Sequence, residues 1–244
     1  MSAVAPIAEA QQPIRIGASV AQTGAYAALG QNQLRGYQLW AKHTNDKGGV
    51  LGRRLELVAE DDRSEPATAA RIYEALITKS KVDAVLGPYS SPITEAVADV
   101  TEKHRIALVA PAAAATSLFK KGRKFVFMLA SRAEVYLEGL IDMAARRGLK
   151  TVAVTHEDTL ALKAIAQGTL ELAKKRGLSV VLVETYPKGT TDLLPDPAVE
   201  SAPVSHARNV FAVAVFAALA WAVAPVAHAQ PPIRTVTSIT QGAD

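Results

Sequence analysis

Two runs of charged side chains have residue types that could bind a metal ion or transfer a proton. The run 156–158 is His-Glu-Asp, but adjacent residues at a strand end point in different directions and lack the i, i+4 spacing of a helical zinc pair. We expect a solvated turn there. The run 60–62, Glu-Asp-Asp, could be a catalytic carboxylate pair, although a polar strand end whose acids face the N-terminus of the next helix explains it better.

Neither motifs nor composition support catalysis or nucleic-acid binding. The sequence has no G-x-S-x-G nucleophile turn, no G-x-x-x-x-G-K-[ST] phosphate loop and no G-x-G-x-x-G dinucleotide turn. The absence of cysteine excludes disulfides, thiolate metal sites and an acylated lipoprotein cysteine. The net charge of +4 is spread over short clusters instead of one long basic run. We therefore expect no enzyme activity, no cofactor, no metal and no nucleic-acid partner.

The first half of the chain alternates strands with helices, which predicts a parallel α/β sheet flanked by helices. Strands are predicted at 14–18, 54–60, 82–86 and 107–110, and helices at 31–45, 66–79 and 91–103. Ser64 is available to cap the second of these helices. Sheets of this kind carry their ligand crevice at the carboxyl ends of the strands.

The same alternation continues beyond residue 124. A strand is predicted at 125–129, a helix at 134–147, and then a strand, a helix and a strand at 151–155, 160–176 and 179–185. From 194 to 209 the sequence has no periodicity and contains several prolines, so regular structure is not predicted there.

Three motifs within residues 14–66 follow one another in a distinctive order. These are the turn QTGAYAALG, the return NDKGGVLGRRLELV and the strand end EDDRSEP. In this order and spacing they resemble the opening of the branched-chain amino-acid and amide-binding proteins of ABC importers. The resemblance continues to about residue 193 and implies a type I periplasmic-binding fold with a first lobe and an incomplete second lobe.

This resemblance also implies a function. Family members bind a free amino acid or amide between two lobes and deliver it to a membrane permease with its ATPase subunits, so we expect a substrate-binding protein in the periplasm. Two alternatives remain: a ligand sensor of the same fold that regulates a partner, and a non-functional truncated or fused fragment.

In the family the first lobe holds the ligand's carboxylate at the start of a helix, where N–H groups and the helix dipole favour negative charge. The matching segment is 87–92, Gly-Pro-Tyr-Ser-Ser-Pro. Ser91 is expected to cap the helix and to contact the ligand through its hydroxyl hydrogen, and Ser90 is a further candidate.

A second loop, 111–116, follows the strand 107–110 and ends in Thr116. The resemblance implies a ligand contact from Thr116, or from Ala114 if the two sequences align without a gap. Alternatively, the small residues only let the backbone pass close to the neighbouring loop.

Positions that are aromatic in leucine-type binders differ in this chain. The nearest equivalents are Leu29, with Tyr26 three residues earlier, and Ala161 in the second lobe, where those binders often have tyrosine. These differences argue against assuming leucine. They leave other small amino acids, amides, and aromatic or short-chain acids open.

The resemblance and the targeting signals predict four regions. Residues 1–10 are a signal-peptide remnant ending in Ala-Glu-Ala, 11–124 the first lobe, 125–193 the start of the second lobe and 194–244 an unrelated tail. Within that tail, 210–229 has the pattern of a complete signal peptide. We weigh three explanations: a misplaced signal sequence from a neighbouring or fused gene, a C-terminal membrane anchor, and a buried helix over 210–224.

Overall fold

The computed structural model describes residues 12–190 and the backbone of the strand at 210–215. The chain divides into two compact units, residues 1–133 and residues 134–244. The helices and strands of the first unit are β1 (Ile14–Val20), α1 (Ala27–Asp46), β2 (Leu55–Asp61), α2 (Pro66–Thr78), β3 (Ala84–Leu86), α3 (Ser91–His104), β4 (Leu108–Ala110) and β5 (Val126–Met128). Those of the second unit are α4 (Glu138–Arg146), β6 (Thr151–Glu157), α5 (Leu160–Lys175), β7 (Ser179–Tyr186) and β8 (Val210–Val215).

The first unit is built on a parallel five-stranded sheet in the order β2-β1-β3-β4-β5. The chain moves from β1 to β2 on one side and then returns to β3 on the other side of β1. The topological switch point therefore lies between β1 and β3, where sheets of this type bind ligands. This confirms the predicted α/β class with a parallel sheet and flanking helices.

The core of the first unit forms where α2 and α3 pack on the sheet. Apolar residues recur at helical spacing along α2 and α3, so each helix has one buried face. Tyr73, Leu76, Ile93 and Leu108 are at most 1% exposed. Close packing of these large side chains fixes the positions of the strands of the first sheet.

The boundary between the two units differs from the prediction. Residues 126–128 form β5, which pairs with β4 in the first sheet, and the division falls after Ala133. The predicted start of the second lobe at residue 125 therefore lies inside the first unit. The apolar pattern at 125–129 indicates a strand, but the sheet that a strand joins is decided by a partner distant in sequence.

The second unit contains a three-stranded parallel sheet in the order β7-β6-β8. Val152 and Val154 of β6 are fully buried. In contrast, Val181 and Val183 of β7 are 53% and 49% exposed. Val180 and Leu182 are also more than a third exposed, and they pair with the adjacent residues Val152 and Ala153 of β6, so β7 presents apolar side chains on both faces.

The tail predictions lie mostly outside the described residues. Residues 210–215 form a strand parallel to β6, which differs from the buried helix considered for 210–224. The signal-peptide remnant at 1–10 and residues 216–244 are outside the described part of the chain. Of the helices formed by residues 12–190, none has both the length and the apolarity required to cross a membrane.

Candidate functional site

The carboxyl ends of β1, β3 and β4 lie side by side at one edge of the first sheet. Three segments leave this edge: the turn before α1, the loop from Gly87 to the start of α3, and the loop from Pro111 to Thr116. They contain five of the seven predicted ligand contacts, and a sixth, Leu29, lies in the first turn of α1. The seventh, Ala161, is the second residue of α5 and belongs to the second unit.

The loop after β3 is held in place from α1. The Gly87 carbonyl oxygen accepts hydrogen bonds from the Tyr37 hydroxyl at 2.7 Å and from Gln33 Nε2 at 2.9 Å. A Cβ atom at Gly87 would lie 3.0 Å from the Cα of Ala110, so glycine lets the ends of β3 and β4 approach closely. Burial raises the pKa of Tyr37, which keeps its hydroxyl protonated and able to donate.

Ser91 connects this loop to the loop after β4. Its Oγ accepts the backbone N–H of Ala114 at 3.2 Å and that of Ala115 at 3.3 Å. The structure therefore corrects the predicted cap, because Ser90 is the N-cap residue and Ser91 is the first residue of α3. A hydroxyl oxygen that accepts two hydrogen bonds still has its own hydrogen to donate.

Ser90 has an unusual backbone conformation and a buried hydroxyl. Its φ is +84° and its ψ is 150°, a region that is otherwise almost confined to glycine. Its Oγ has no hydrogen-bond partner among the described residues, and it makes no capping hydrogen bond. An unsatisfied buried hydroxyl is costly, so this atom requires an explanation.

An aromatic pair lies at the switch point. The rings of Tyr26, after β1, and Tyr89, after β3, are 5.4 Å apart between centroids at an interplanar angle of 57°. This tilted geometry is one that aromatic pairs favour. Tyr89 was not among the predicted contacts. Its position directly before the two serines of the helix start was a signal that could have identified it.

The remaining predicted contacts differ in burial. Ala114 and Thr116 are 8% and 9% exposed, and Thr116 begins a short 3-10 helix over Thr116–Leu118. Leu29 is half-buried in the first turn of α1, where its N–H donates to the Tyr26 carbonyl oxygen at 3.1 Å. The edge thus brings a helix start, two serines, a threonine and two tyrosines into neighbouring loops.

The acids at the end of β2 do not face the start of α2 as predicted. Asp61 instead accepts hydrogen bonds from the backbone N–H groups of Gln22, Thr23 and Arg63, and from the Thr23 hydroxyl at 2.7 Å. Burial alone would raise the pKa of Asp61, but these hydrogen bonds outweigh it and hold that pKa below its ordinary value.

Asp62 and Ser64, which are both buried, extend this network. Asp62 accepts from the Ser19 hydroxyl at 2.8 Å and from the Ser64 N–H at 2.9 Å, and burial raises its pKa above the ordinary value. The Ser64 hydroxyl donates to the Thr23 carbonyl oxygen and accepts from the Tyr26 N–H. Ser64 therefore does not cap α2, and Glu65 occupies the cap position. The acids and Ser64 position the turn that carries Tyr26.

The run 156–158 is not the solvated turn that was predicted. His156 and Glu157 are 6% and 9% exposed at the end of β6, and only Asp158 is exposed. The His156 ring lies 3.0 Å from the Glu157 carbonyl oxygen and 3.1 Å from the Thr185 hydroxyl. Within residues 12–190, no group of three or more His, Cys, Asp or Glu side chains is placed to hold a metal ion.

Solved structures share this fold. The chain is 27% identical to a solute-binding protein of an ABC transporter from Rhodopseudomonas palustris in complex with 4-hydroxybenzoate, with a TM-score of 0.71 over 83% of this chain and 54% of that one. It is 28% identical to the branched-chain amino acid transporter substrate-binding protein LivJ from Streptococcus pneumoniae in complex with isoleucine, with a TM-score of 0.66 over 80% and 55% of the two chains.

The chain is also similar in sequence to a protein described as a binding protein. The chain is 27% identical over 181 residues to an amino acid binding protein of Pseudomonas aeruginosa, covering 72% of this chain and 48% of that protein. The chain therefore spans about half the length of the relatives it matches. A family model described as "Periplasmic binding protein" matches residues 13–236. The unrelated tail predicted from residue 194 onward begins inside this matched range, and it stays a prediction. The match takes in most of the chain, and this protein belongs to the periplasmic binding protein family.

Proposed function

We propose that this chain is the substrate-binding component of an ABC importer and binds a small carboxylate ligand at the carboxyl edge of its first sheet, without catalysing a reaction. The observation that carries the proposal is the position of Ser91. Its hydroxyl lies at the first residue of α3, and its oxygen is held by two N–H groups of the neighbouring loop. This arrangement orients the remaining hydroxyl hydrogen before a ligand arrives.

Helix α3 supplies the electrostatic part of the proposed site. The first N–H groups of a helix have no partner within it, and the helix dipole makes this end favourable for an anion. The helix has 14 residues and no acidic residue in its first turn. A ligand carboxylate would accept hydrogen bonds from Ser91, Ser90 and backbone N–H groups. Thr116 or Ala114, in the loop after β4, would contact the polar atoms of the ligand.

The ligand class follows from the neighbouring proteins and from the ring pair. Branched-chain or related amino acids, or amides, are the first candidate, since the relatives include an amino acid binding protein and LivJ was solved with isoleucine. An aromatic acid is the second candidate, because Tyr26 and Tyr89 place two rings beside α3 and a neighbour was solved with 4-hydroxybenzoate. Aromatic side chains at the site could pack against a flat apolar ligand.

Partners and location follow from the same proposal. A binding protein of this family would release its ligand to a permease, with ATPase subunits, and would act in the periplasm. A sensor of the same fold would instead change its affinity for a regulated partner when ligand binds. Stimulation of ATP hydrolysis by a reconstituted permease and ATPase would favour the importer over the sensor.

Calorimetric titration of the 244-residue chain tests ligand binding. We expect either isoleucine or 4-hydroxybenzoate to bind, and Ser91→Ala to weaken that binding by about 10- to 100-fold, because it removes a hydrogen bond to a charged group. Ser91→Thr, which keeps the hydroxyl, should restore most of the affinity. Ser117→Ala, an exposed serine of the adjacent 3-10 helix, should change nothing.

Two results would contradict the proposal. Failure of the folded wild-type chain to bind any amino acid, amide or aromatic acid of a broad panel would reject the binding function. Equal affinity of Ser91→Ala and wild type would reject the site.

A further inference from the structure

The amino edge of the first sheet gathers basic side chains that are far apart in the sequence. All five strands are parallel and therefore begin at this edge, at the opposite ends of the strands from the proposed ligand site. Each strand has a basic residue at or just before its start. In sheet order these are Arg54 at β2, Arg15 at β1, Lys81 at β3, Arg105 at β4 and Lys124 at β5.

Backbone hydrogen bonds place these strand starts side by side. The Ile14 N–H donates to the Arg54 carbonyl oxygen at 2.8 Å, and the Leu108 N–H donates to the Phe125 carbonyl oxygen at 2.7 Å. Hydrogen bonds of the same kind link the start of β1 to β3 and the start of β3 to β4. Because neighbouring strands lie about 4.8 Å apart, the row of basic residues extends over about 20 Å.

Three members of this row are available to a partner. Lys81, Arg105 and Lys124 are exposed, and none of them forms an ion pair with another described residue. The acids beside them are engaged elsewhere. Asp83 accepts the Arg15 N–H at 2.8 Å, and Glu102 accepts the backbone N–H groups of Lys124 at 2.9 Å and of Phe125 at 3.0 Å.

The opposite edge of the same sheet has a different charge. The loops that follow β1, β3 and β4, at 21–26, 87–90 and 111–116, contain no aspartate, glutamate, lysine or arginine. The short basic clusters that look scattered along the sequence are therefore brought together by the topology, on one edge of the first unit.

The helix dipole explains only part of this pattern. α2 and α3 end shortly before Lys81 and Arg105, and cations are favourable at the carboxyl end of a helix. Both residues have a φ of +54°, however, in a position where glycine is the usual and less strained choice. Lys124 follows only the three-residue 3-10 helix, so the dipole does not account for it.

An exposed apolar residue lies at the same edge. Leu51 is 88% exposed in the turn between α1 and β2, where Val50 and Arg53 form an isolated antiparallel bridge. Lys47 and Arg54, both exposed, flank this turn in the sequence. An apolar tip flanked by cations is typical of surfaces that bind the membrane interface, where the apolar side chain enters the headgroup region and the cations meet anionic lipids. An acidic protein surface would attract the cations but would leave Leu51 unexplained.

We propose that the amino edge of the first sheet docks on an anionic lipid surface. Lys81, Arg105 and Lys124 contact the headgroups, and Leu51 inserts at the interface. One charge per strand over about 20 Å suits a continuous layer of headgroups better than a single small anion. This inference goes beyond the proposed function and does not depend on it, because the proposed ligand loops leave the sheet at its other edge.

Co-sedimentation of the 244-residue chain with lipid vesicles tests the proposal. The chain should bind vesicles of phosphatidylcholine that contain about one-third phosphatidylglycerol, and it should not bind vesicles of phosphatidylcholine alone. Raising the salt concentration to about 0.5 M should release most of the bound chain, because salt screens the attraction between exposed charges.

A triple substitution locates the surface. Each cation near an anionic membrane contributes about a fivefold increase in binding, so Lys81→Gln, Arg105→Gln and Lys124→Gln combined should weaken it by about 20- to 100-fold. Arg35→Gln, Arg63→Gln and Arg132→Gln combined remove the same net charge from exposed residues of the first unit that lie away from its amino edge. This control should weaken binding by less than about threefold.

A second pair of variants tests the apolar contact. Leu51→Asn removes the apolar side chain, and asparagine tolerates the φ of +53° at this position. The substitution should weaken vesicle binding by about 3- to 10-fold. Leu39→Asn changes a residue that is 54% exposed within α1, and it should leave vesicle binding within about twofold of wild type.

Three results would overturn the proposal. The first is failure of the folded wild-type chain to bind the anionic vesicles. The second is equal weakening by the two triple substitutions, which would assign the attraction to net charge instead of to this edge. The third is binding to poly-glutamate without binding to vesicles, which would assign the edge to an acidic protein partner. Vesicle binding is measured without ligand, so failure of the proposed function would leave each of these results unchanged.

Discussion

The carboxyl edge of the first sheet and the β7 edge of the second sheet differ in what surrounds them. At the first edge, buried hydrogen bonds join every loop to a neighbour, through Asp62, Ser64, Gly87 and Ser91. At the second, four successive residues of β7, 180–183, are each more than a third exposed although all are apolar. The first unit therefore has an edge whose loops are ordered by hydrogen bonds above a closed core, whereas the second unit exposes apolar strand surface of a kind that proteins usually cover.

The largest expected effect tests the difference between the two cores. Leu108→Ala in β4 removes a fully buried side chain and should lower the free energy of unfolding by about 2–5 kcal/mol. Leu182→Ala in β7 is the matched truncation at a residue that is 36% exposed and should cost less than about 1 kcal/mol. Urea unfolding followed by circular dichroism measures both. Equal losses would show that β7 is packed as tightly as β4.

A smaller effect tests the acids that hold the first edge. Asp61→Asn replaces charge-assisted hydrogen bonds with neutral ones and should cost about 1–2 kcal/mol at pH 7. The folded-state pKa of Asp61 is depressed, so its stabilisation is present above the ordinary carboxyl pKa and is lost as pH falls through the folded pKa. The difference between variant and wild type should therefore shrink below about pH 4.

Asp62→Asn should show the opposite dependence on pH. The folded-state pKa of Asp62 is raised, so the stability that this residue contributes is present below the ordinary carboxyl pKa and is lost as pH rises through the folded pKa. The variant should be neutral or more stable than wild type at pH 7 and lose that advantage on acidification. Unfolding curves between pH 3 and pH 7 measure both variants. Asp158→Asn, an exposed strand-end acid of the second unit paired with Lys163, is the control and should change stability by less than about 0.5 kcal/mol.

The smallest effect on stability is expected on β7. Replacing Val181 and Val183 with lysine places two charges at the two most exposed of these apolar positions, which should change the free energy of unfolding by less than about 0.5 kcal/mol per residue. Charged edge strands resist pairing with other chains, so self-association should fall, as measured by sedimentation velocity. Unfolding of this double variant would show that this part of β7 is covered in solution.

Patterns along the chain predicted most of the fold because they are local. Alternating apolar residues and glycine turns indicate β1 to β4 and α1 to α3 to within a few residues, and Pro92 marks the start of α3. α4 is shorter than predicted, since a 3-10 helix at Ala133–Val135 comes before it. Membership of β5 in the first sheet depends on pairing with β4, which no local pattern reveals.

Less of the candidate site than of the fold could be predicted from the sequence. The resemblance predicts a ligand contact at Ser91, but the acceptor role of its hydroxyl oxygen depends on the Ala114 loop, which is distant along the chain. The positive φ of Ser90 and the tilted packing of Tyr89 against Tyr26 likewise depend on tertiary contacts. Ser64 could have been a helix cap, and it instead bonds the turn after β1 because Asp62 fixes its N–H. Local propensity is overridden where loops meet.

The most direct test of the central claim is a chemical-shift titration of the isotopically labelled 244-residue chain with the ligand it binds most tightly. Ligand binding at the first edge should shift the amide resonances of Ser90, Ser91, Thr94, Ala114 and Ala115 most strongly, because they lie at the start of α3 and in the loop held against it. Amides of 180–183 in β7 serve as the internal comparison and should shift less. Saturable binding that leaves the first set of resonances unmoved would contradict the account.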